Sequence, residues 1–321
     1  MFDINIYKDF ILKFIKINLE IWRYKMQVGG QAVIEGVMMR AQDKMAVAVR
    51  KPDGEIEVSV ENIEPLYKKY KILSLPFIRG AAAMIESLIV GIKTLQYSAS
   101  FYEDEEDKSR FEKYLDEKFK GKSENIIMSL TLFTSFAFAI FLFVLLPTFA
   151  ANFFKSKIQS NIYINLFEGF LRLIIFLVYI YLISKMEDIR RVFEYHGAEH
   201  KSVFCFEAGI PLTVENVSKF STLHPRCGTN FLLIVMLISI FIFSFFGWPN
   251  IIVRIVSRIL LIPVVAGISY EIIKWLGKSN TGLSRALAYP GLMLQRLTTR
   301  DPDEKQIEVA IAALKAAIGE E

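Results

Sequence analysis

Residues 126–151 read IIMSLTLFTSFAFAIFLFVLLPTFAA and contain no charged side chain. About 20 such residues in an α-helix cross the hydrocarbon of a bilayer, so this stretch sets the fold class. Three further stretches follow the same pattern. Residues 162–183 carry only Glu168 and Arg172. Residues 231–247 (FLLIVMLISIFIFSFFG) are uncharged but short. Residues 251–275 carry Arg254 and Arg258 at one end and Glu271 and Lys274 at the other. Gly247-Trp248-Pro249-Asn250 is a turn that makes the last two a helical hairpin. The competing reading, a pair of buried core helices, does not suit Phe/Leu/Ile runs of this length.

The whole chain agrees. It has 321 residues, 53% hydrophobic and 13% aromatic. Its mean hydropathy is +0.36. That is too apolar for a disordered chain and more than a soluble domain of this size needs. The formal charge of +4 does not point to nucleic acid. Two cysteines exclude a disulfide scaffold. The expected fold is therefore mainly α: a polytopic helical membrane protein of about four transmembrane helices with a small cytoplasmic α+β N-terminal portion.

Lys and Arg set the expected orientation. Residues 108–122, 184–230 and 277–321 hold six basic residues each, 152–161 hold two and 248–250 none. The N-terminal region, the central loop and the tail are expected on the cytoplasmic side, which four spans allow. Glu168, Arg172, Arg254 and Arg258 then fall near the outer face, where an inter-helix ion pair between Glu168 and an arginine is expected.

The remaining segments divide as follows. Residues 1–25 read as an amphipathic helix on the membrane surface, with Phe10, Phe14, Ile17, Ile21 and Trp22 at helical spacing. Residues 26–125 form a cytoplasmic α+β region. Its 28–60 part is expected to be a three-stranded β unit turning at Pro52-Asp53-Gly54. Residues 80–101 are expected to be an interfacial or re-entrant helix rather than a fifth span. The chain then runs through a transmembrane hairpin (126–183), a cytoplasmic loop (184–230), a second hairpin (231–276) and a helical tail (277–321). Asp301-Pro302-Asp303-Glu304 reads as the start of a final helix over 302–318, docked through Ile307, Ile311, Leu314 and Ile318.

All three histidines and both cysteines lie between residues 196 and 227. Clustered His and Cys in a reducing compartment read as metal ligands. Tyr195-His196-Gly197-Ala198-Glu199-His200-Lys201 has the order H-x-x-E-H. On a helix expected from Ser184 to Ala208, His196 and His200 share a face, and Glu199 flanks it as a general base for water activated by zinc. His224 and Cys227 follow with H-x-x-C spacing. Glu207 shares the histidine face, whereas Cys205 lies off it. Glu35 (between glycines), Arg79, Arg226 and Glu271 are candidates to support the site or hold an anionic substrate.

Three arrangements fit these residues: a hydrogen-bonded histidine pair without metal, a closed four-ligand structural zinc site, and an open three-ligand catalytic one. Three functions are open to the chain. One is a zinc-dependent hydrolase acting on a membrane-associated or peptide substrate, with Glu199 as base and Arg226 or Arg79 holding the anion. Another is a scaffold or assembly factor stapled by structural zinc. The third, a transporter using Glu271 and the arginines, lacks a visible repeat.

Several segments together resemble the YqhQ-type family of bacterial membrane proteins: GGQAVIEGVMMR (29–40), PFIRG (76–80), YHGAEHK (195–201), HPRCGTNF (224–231) and LTTRDP (297–302). The resemblance runs from about residue 26 to 318. It implies a multi-pass protein of the bacterial cell membrane that binds metal, from a family of unknown function described as predicted metal-dependent enzymes. It carries no substrate. It places Gln31, Glu35, Arg40, Arg79, His196, Glu199, His200, His224, Arg226, Cys227 and Asn230 in the family pattern.

Overall fold

The computed structural model describes residues 28–66, 70–102, 123–225, 227–247, 249–276, 279 and 281–320. The amphipathic segment expected over 1–25 lies outside them, as does the side chain of Arg226.

The N-terminal β unit has four strands, not three. They are β1 (Val28–Val33), β2 (Gly36–Ala41), β3 (Lys44–Arg50) and β4 (Ile56–Asn62), forming an antiparallel meander in that order. The extra strand comes from a tight reversal at Ile34-Glu35, which folds 28–41 into a hairpin pairing Val33 with Gly36. Gln42-Asp43 makes the next reversal, and Glu35 (φ 47°) and Gln42 (φ 52°) take left-handed backbone there. Neither pair carries the Asn-Gly or Asp-Gly signature of a two-residue hairpin turn. Pro52-Asp53-Gly54 does turn the chain as expected, with Lys51 N–H donating to Glu55 O at 2.8 Å.

The sheet is covered on both faces, which explains why β2 and β3 are apolar without alternation. Val37, Met39, Ala41, Ala46 and Ala48 face one core, and Met38, Met45, Val47 and Val49 face another. The second face packs on Val90, Tyr97 and Phe101. Val90 and Tyr97 belong to α1 (Ile78–Ala99).

Three helical stretches are long and apolar enough to cross a membrane: Ile126–Phe153, Asn161–Ile183 and Ile251–Leu276. The first is α2 (Ser123–Ile140), a π turn (Phe141–Leu145) and α3 (Leu146–Phe153) run together. The wide turn lies just before Pro147, which cannot donate to the helical ladder. The others are α4 (Asn161–Ile183) and, after α5 (Glu187–Glu207), α6 (Val214–Ser218) and α7 (Gly228–Ser244), the long α8 (Ile251–Leu276). α7 is apolar but has only 17 residues. At 1.5 Å per residue it rises about 25 Å, shorter than the other three and paired with α8. Among the described residues, α1 is not one of the long apolar helices.

The charges at one end of the spans converge as expected, on more partners than expected. Glu168 on α4 is buried and paired with Arg172, Arg254 and Arg258. Thr148 also donates to it, at 2.8 Å.

Two helices finish the chain, α9 (Gly282–Thr298) and α10 (Glu304–Ile318). The last begins two residues later than expected. Asp303, not Asp301, is the cap, in a reciprocal capping box with Gln306. Its face of Ile307, Ile311, Leu314 and Ile318 docks on the sheet, α5 and α6, building the main core with Tyr195, Val203 and Phe206. α9 lies on the membrane helices, where Leu294 packs with Phe176, Ile180 and Leu233.

Candidate metal centre

α5 carries the H-x-x-E-H segment. Glu187 and Asp188 occupy its first turn, the charge sign a helix N-terminus favours. Gly209, with φ 69°, ends it. It starts three residues later than the sequence suggests, because Met186 is still extended. Its second half is buried between the sheet, α10 and the 219–225 loop.

Gly197 decides what reaches His196. A Cβ on residue 197 would run into the carbonyl oxygen of Arg300. Without one, the strap joining α9 to α10 lies against α5. The Arg300 N–H donates to Phe193 O at 2.9 Å, and Thr298 O sits 2.8 Å from His196 Nδ1. On the other side of the helix face, His200 Nδ1 bonds the carbonyl of Thr222. A carbonyl only accepts, so in the neutral imidazoles Nδ1 holds the proton and Nε2 keeps its lone pair. Burial lowers the His200 pKa below the ordinary histidine value, which favours that neutral form.

Both Nε2 atoms face Cys227. His196 Nε2 is 3.2 Å from Cys227 Sγ. His200 Nε2 is buried without a hydrogen-bond partner. The two rings lie 4.4 Å apart, edge to face. Ligand atoms of His196, His200 and Cys227 all lie within 4.8 Å of one another. Cys227 caps α7, and Thr229 N–H donates to its sulfur at 3.3 Å.

Glu199 stands beside this trio. Its Oε2 is 3.8 Å from His196 Nε2 and 3.9 Å from His200 Nε2. The backbone of Gly30, on β1, bonds its carboxylate. Residue 30 must be small here, since a Cβ would stand 2.9 Å from Glu199 Cγ. Burial raises the Glu199 pKa, and His196, His224 and the Gly30 bond pull against that rise.

His224 is adjacent but oriented elsewhere. Its ring centroid is 5.6 Å from that of His200, and its Nε2 is 3.6 Å from Glu207 Oε2. Its backbone N–H and carbonyl are both held by the side chain of Gln295, at 2.8 Å each. Gln295 also reaches Asn230 at 3.0 Å. Burial lowers the His224 pKa as well.

The other candidates go to different places. Glu35 pairs with Arg191 and accepts from Tyr195 Oη at 3.2 Å, tying the first hairpin to α5. Arg79 and Glu271 form a two-point pair between α1 and α8, with one contact of 2.6 Å. Among the described residues neither makes a polar contact with the trio. Cys205 is buried in the core with Sγ 3.6 Å from the Ile210 carbonyl. Sequence reasoning missed Thr222, Gln295 and Thr298 as supports, and Gly30 as the donor to Glu199. Thr298 stands within LTTRDP, but what reaches His196 is its carbonyl.

A helical membrane protein with a His/Cys cluster at one end of its spans is the class that fold and site define. Residues 75–320 match the family described as "Protein of unknown function (DUF1385)", and the chain belongs to it. It is also 38% identical over 285 residues to the uncharacterized protein YqhQ of Bacillus subtilis (strain 168), covering 88% of this chain and 89% of that one. The family read from the sequence motifs is thereby borne out. No solved structure matches.

Proposed function

We propose that the protein is a zinc-dependent hydrolase working at the membrane surface on a membrane-associated substrate, lipid-linked or peptide. The observation that carries this is the aim of the two imidazoles. Each Nδ1 is tied to a backbone carbonyl, and each Nε2 turns toward one sulfur, with a buried carboxylate beside them. A tetrahedral zinc places neighbouring N and S ligand atoms about 3.3–3.6 Å apart. The His196–Cys227 distance of 3.2 Å is already close to that, and buried His200 Nε2 is a donor atom waiting for a partner.

His196, His200 and Cys227 supply three ligands, the number that leaves a fourth position open. Zinc bound there supplies Lewis acidity, which polarises a substrate oxygen and acidifies water. Glu199 Oε2, near both imidazoles, would be the group placed to accept a proton from the attacking water and to return it to the leaving group. Gly30 N–H holds the carboxylate in place. The excess of Lys and Arg in the 184–230 loop and the tail supports a cytoplasmic position for the site.

The test is the metal content of the detergent-purified protein. Wild type and Glu199→Gln are expected to hold a single zinc per chain and His200→Ala little. No transition metal in wild type after supplementation would overturn the reading. The nearness of His224 to His200 favours a second reading, a closed structural site in a scaffold. There, His224→Ala loses metal and folded protein together, and Glu199→Gln changes nothing. In the hydrolase, His224→Ala keeps the metal.

A further inference from the structure

The first part of α1 and the residues just before it present an apolar surface. Between Ile72 and Ile92 the sequence holds two charged residues, Arg79 and Glu86. Both are paired inward, Arg79 with Glu271 on α8 and Glu86 with Arg40 on β2, each at 2.6 Å. Ile72, Leu75, Phe77, Ile85, Leu88 and Ile89 point outward, each 48–65% exposed. No exposed residue from 72 to 89 is charged. The first exposed charge along α1 is Lys93, which pairs with Glu61 at 2.7 Å. A contiguous apolar surface of this kind marks contact with protein or membrane.

Two glycines set how deep this surface lies. A Cβ on residue 80 would stand 2.8 Å from Gly267 Cα, and one on residue 267 would run into the Phe77 carbonyl oxygen. The start of α1 is therefore seated in α8 at Gly267. Cys227 starts α7 and the α7–α8 turn lies at the far end, so Leu276 ends α8 on the metal-centre side. Gly267 is nine residues before Leu276, about 14 Å along the helix. The 26 residues of α8 rise about 39 Å, about 9 Å more than the hydrocarbon is thick. Even with all that excess at this end, Phe77 lies about 5 Å inside the hydrocarbon.

The chain turns back at that depth. Ile78 N–H donates to Pro76 O at 2.9 Å, and Phe77 between them has φ 67° and ψ −46°, a γ-turn. Leu66 N–H donates to Glu86 Oε2 at 3.1 Å, so the two sides of the turn stand level there. Leu73, Leu75 and Arg79 donate their N–H groups to Tyr70, Ile72 and Leu75. Backbone groups satisfied within the segment are what a lipid environment demands. Beyond this segment α1 meets β1, where Gln31 Nε2 donates to Gly91 O at 3.5 Å.

We infer that residues 72–89 form a re-entrant element: they dip into the bilayer from the metal-centre end and set their outward face against lipid acyl chains. The face continues the lipid-facing surface of α8, and it rests on no residue of the metal centre. Electron paramagnetic resonance of the full chain tests it, in vesicles of phosphatidylcholine and phosphatidylglycerol. A nitroxide is placed at Ile78→Cys, Ile85→Cys, Ile89→Cys or Lys93→Cys in turn. The native Cys205 and Cys227 are buried, and wild type carried through the same labelling gives the background. Oxygen concentrates in lipid and a nickel chelate stays in water, so their relaxing effects on the label separate lipid, water and protein surroundings.

Oxygen is expected to exceed nickel at Ile78, Ile85 and Ile89, with the ratio rising toward Ile78. The order is expected to reverse at Lys93. Nickel exceeding oxygen at Ile85 and Ile89 puts the face in water and overturns the proposal. Low access of both probes there means that protein covers the face, a second copy or a partner, and overturns it as well. Should one variant fail to fold, the remaining positions decide.

Discussion

The smallest residue of the H-x-x-E-H segment controls how His196 is held. Gly197 has no Cβ to meet the Arg300 carbonyl, and the Thr298 carbonyl reaches His196 because of that approach. Gly197→Ala is expected to push the strap away. The overpacking should cost about 1–3 kcal/mol, read as a lower melting temperature. The loosened His196 should weaken zinc retention as well, whereas an alanine at exposed Gly209 leaves zinc retention unchanged. The cluster of His196, His200 and Cys227 was legible in the sequence because histidine and cysteine are so scarce that their grouping is a signal. Their supports were not. Thr298 is 102 positions from His196 and Gln295 is 71 from His224. A backbone carbonyl acting on an imidazole carries no residue type to search for. Glu35 shows the opposite error: its glycine neighbours suggested close approach to a site, yet it faces Arg191.

Among elements, the first hairpin shows how a turn can be hidden. Strand propensity and the Pro52-Asp53-Gly54 turn are readable, but Ile34-Glu35 carries no turn signature, so the sequence shows one strand fewer than the sheet has. Glu35 takes φ 47° there, which costs a non-glycine residue roughly 1–2 kcal/mol. Its pair with Arg191 offsets that only in part. Arg191 is 46% exposed, and a pair with one exposed partner contributes about 0–1 kcal/mol. The two terms can be separated. Glu35→Ala keeps the strained backbone and loses the pair, so thermal unfolding should show a loss of about 1 kcal/mol. Glu35→Gly loses the same pair and relieves the backbone, so it should unfold close to wild type. The final helix shows a milder version: the docking face was legible, but Asp301 with Glu304 and Asp303 with Gln306 both have capping-box spacing, and the structure forms the second.

At the scale of the whole molecule, the membrane helices are held at one end by charge and at the other by the packing of α9. The apolar runs were legible because the bilayer demands length and composition alone. How they pack was not, because their lipid-facing and buried sides are equally apolar. In the first span no residue of its most apolar window is buried. What fixes α3, α4 and α8 against one another is therefore polar: Thr148, Glu168, Arg254 and Arg258. Removing the carboxylate leaves three guanidiniums facing each other out of water. Breaking a buried pair in this way costs about 3–5 kcal/mol. Glu168→Gln is accordingly expected to lower the melting temperature in detergent far more than Arg254→Gln, which leaves Glu168 two partners. If both variants melt together with wild type, the cluster does not hold the spans. If only Glu168→Gln falls, the carboxylate that gathers the three arginines is what holds the spans together at this end.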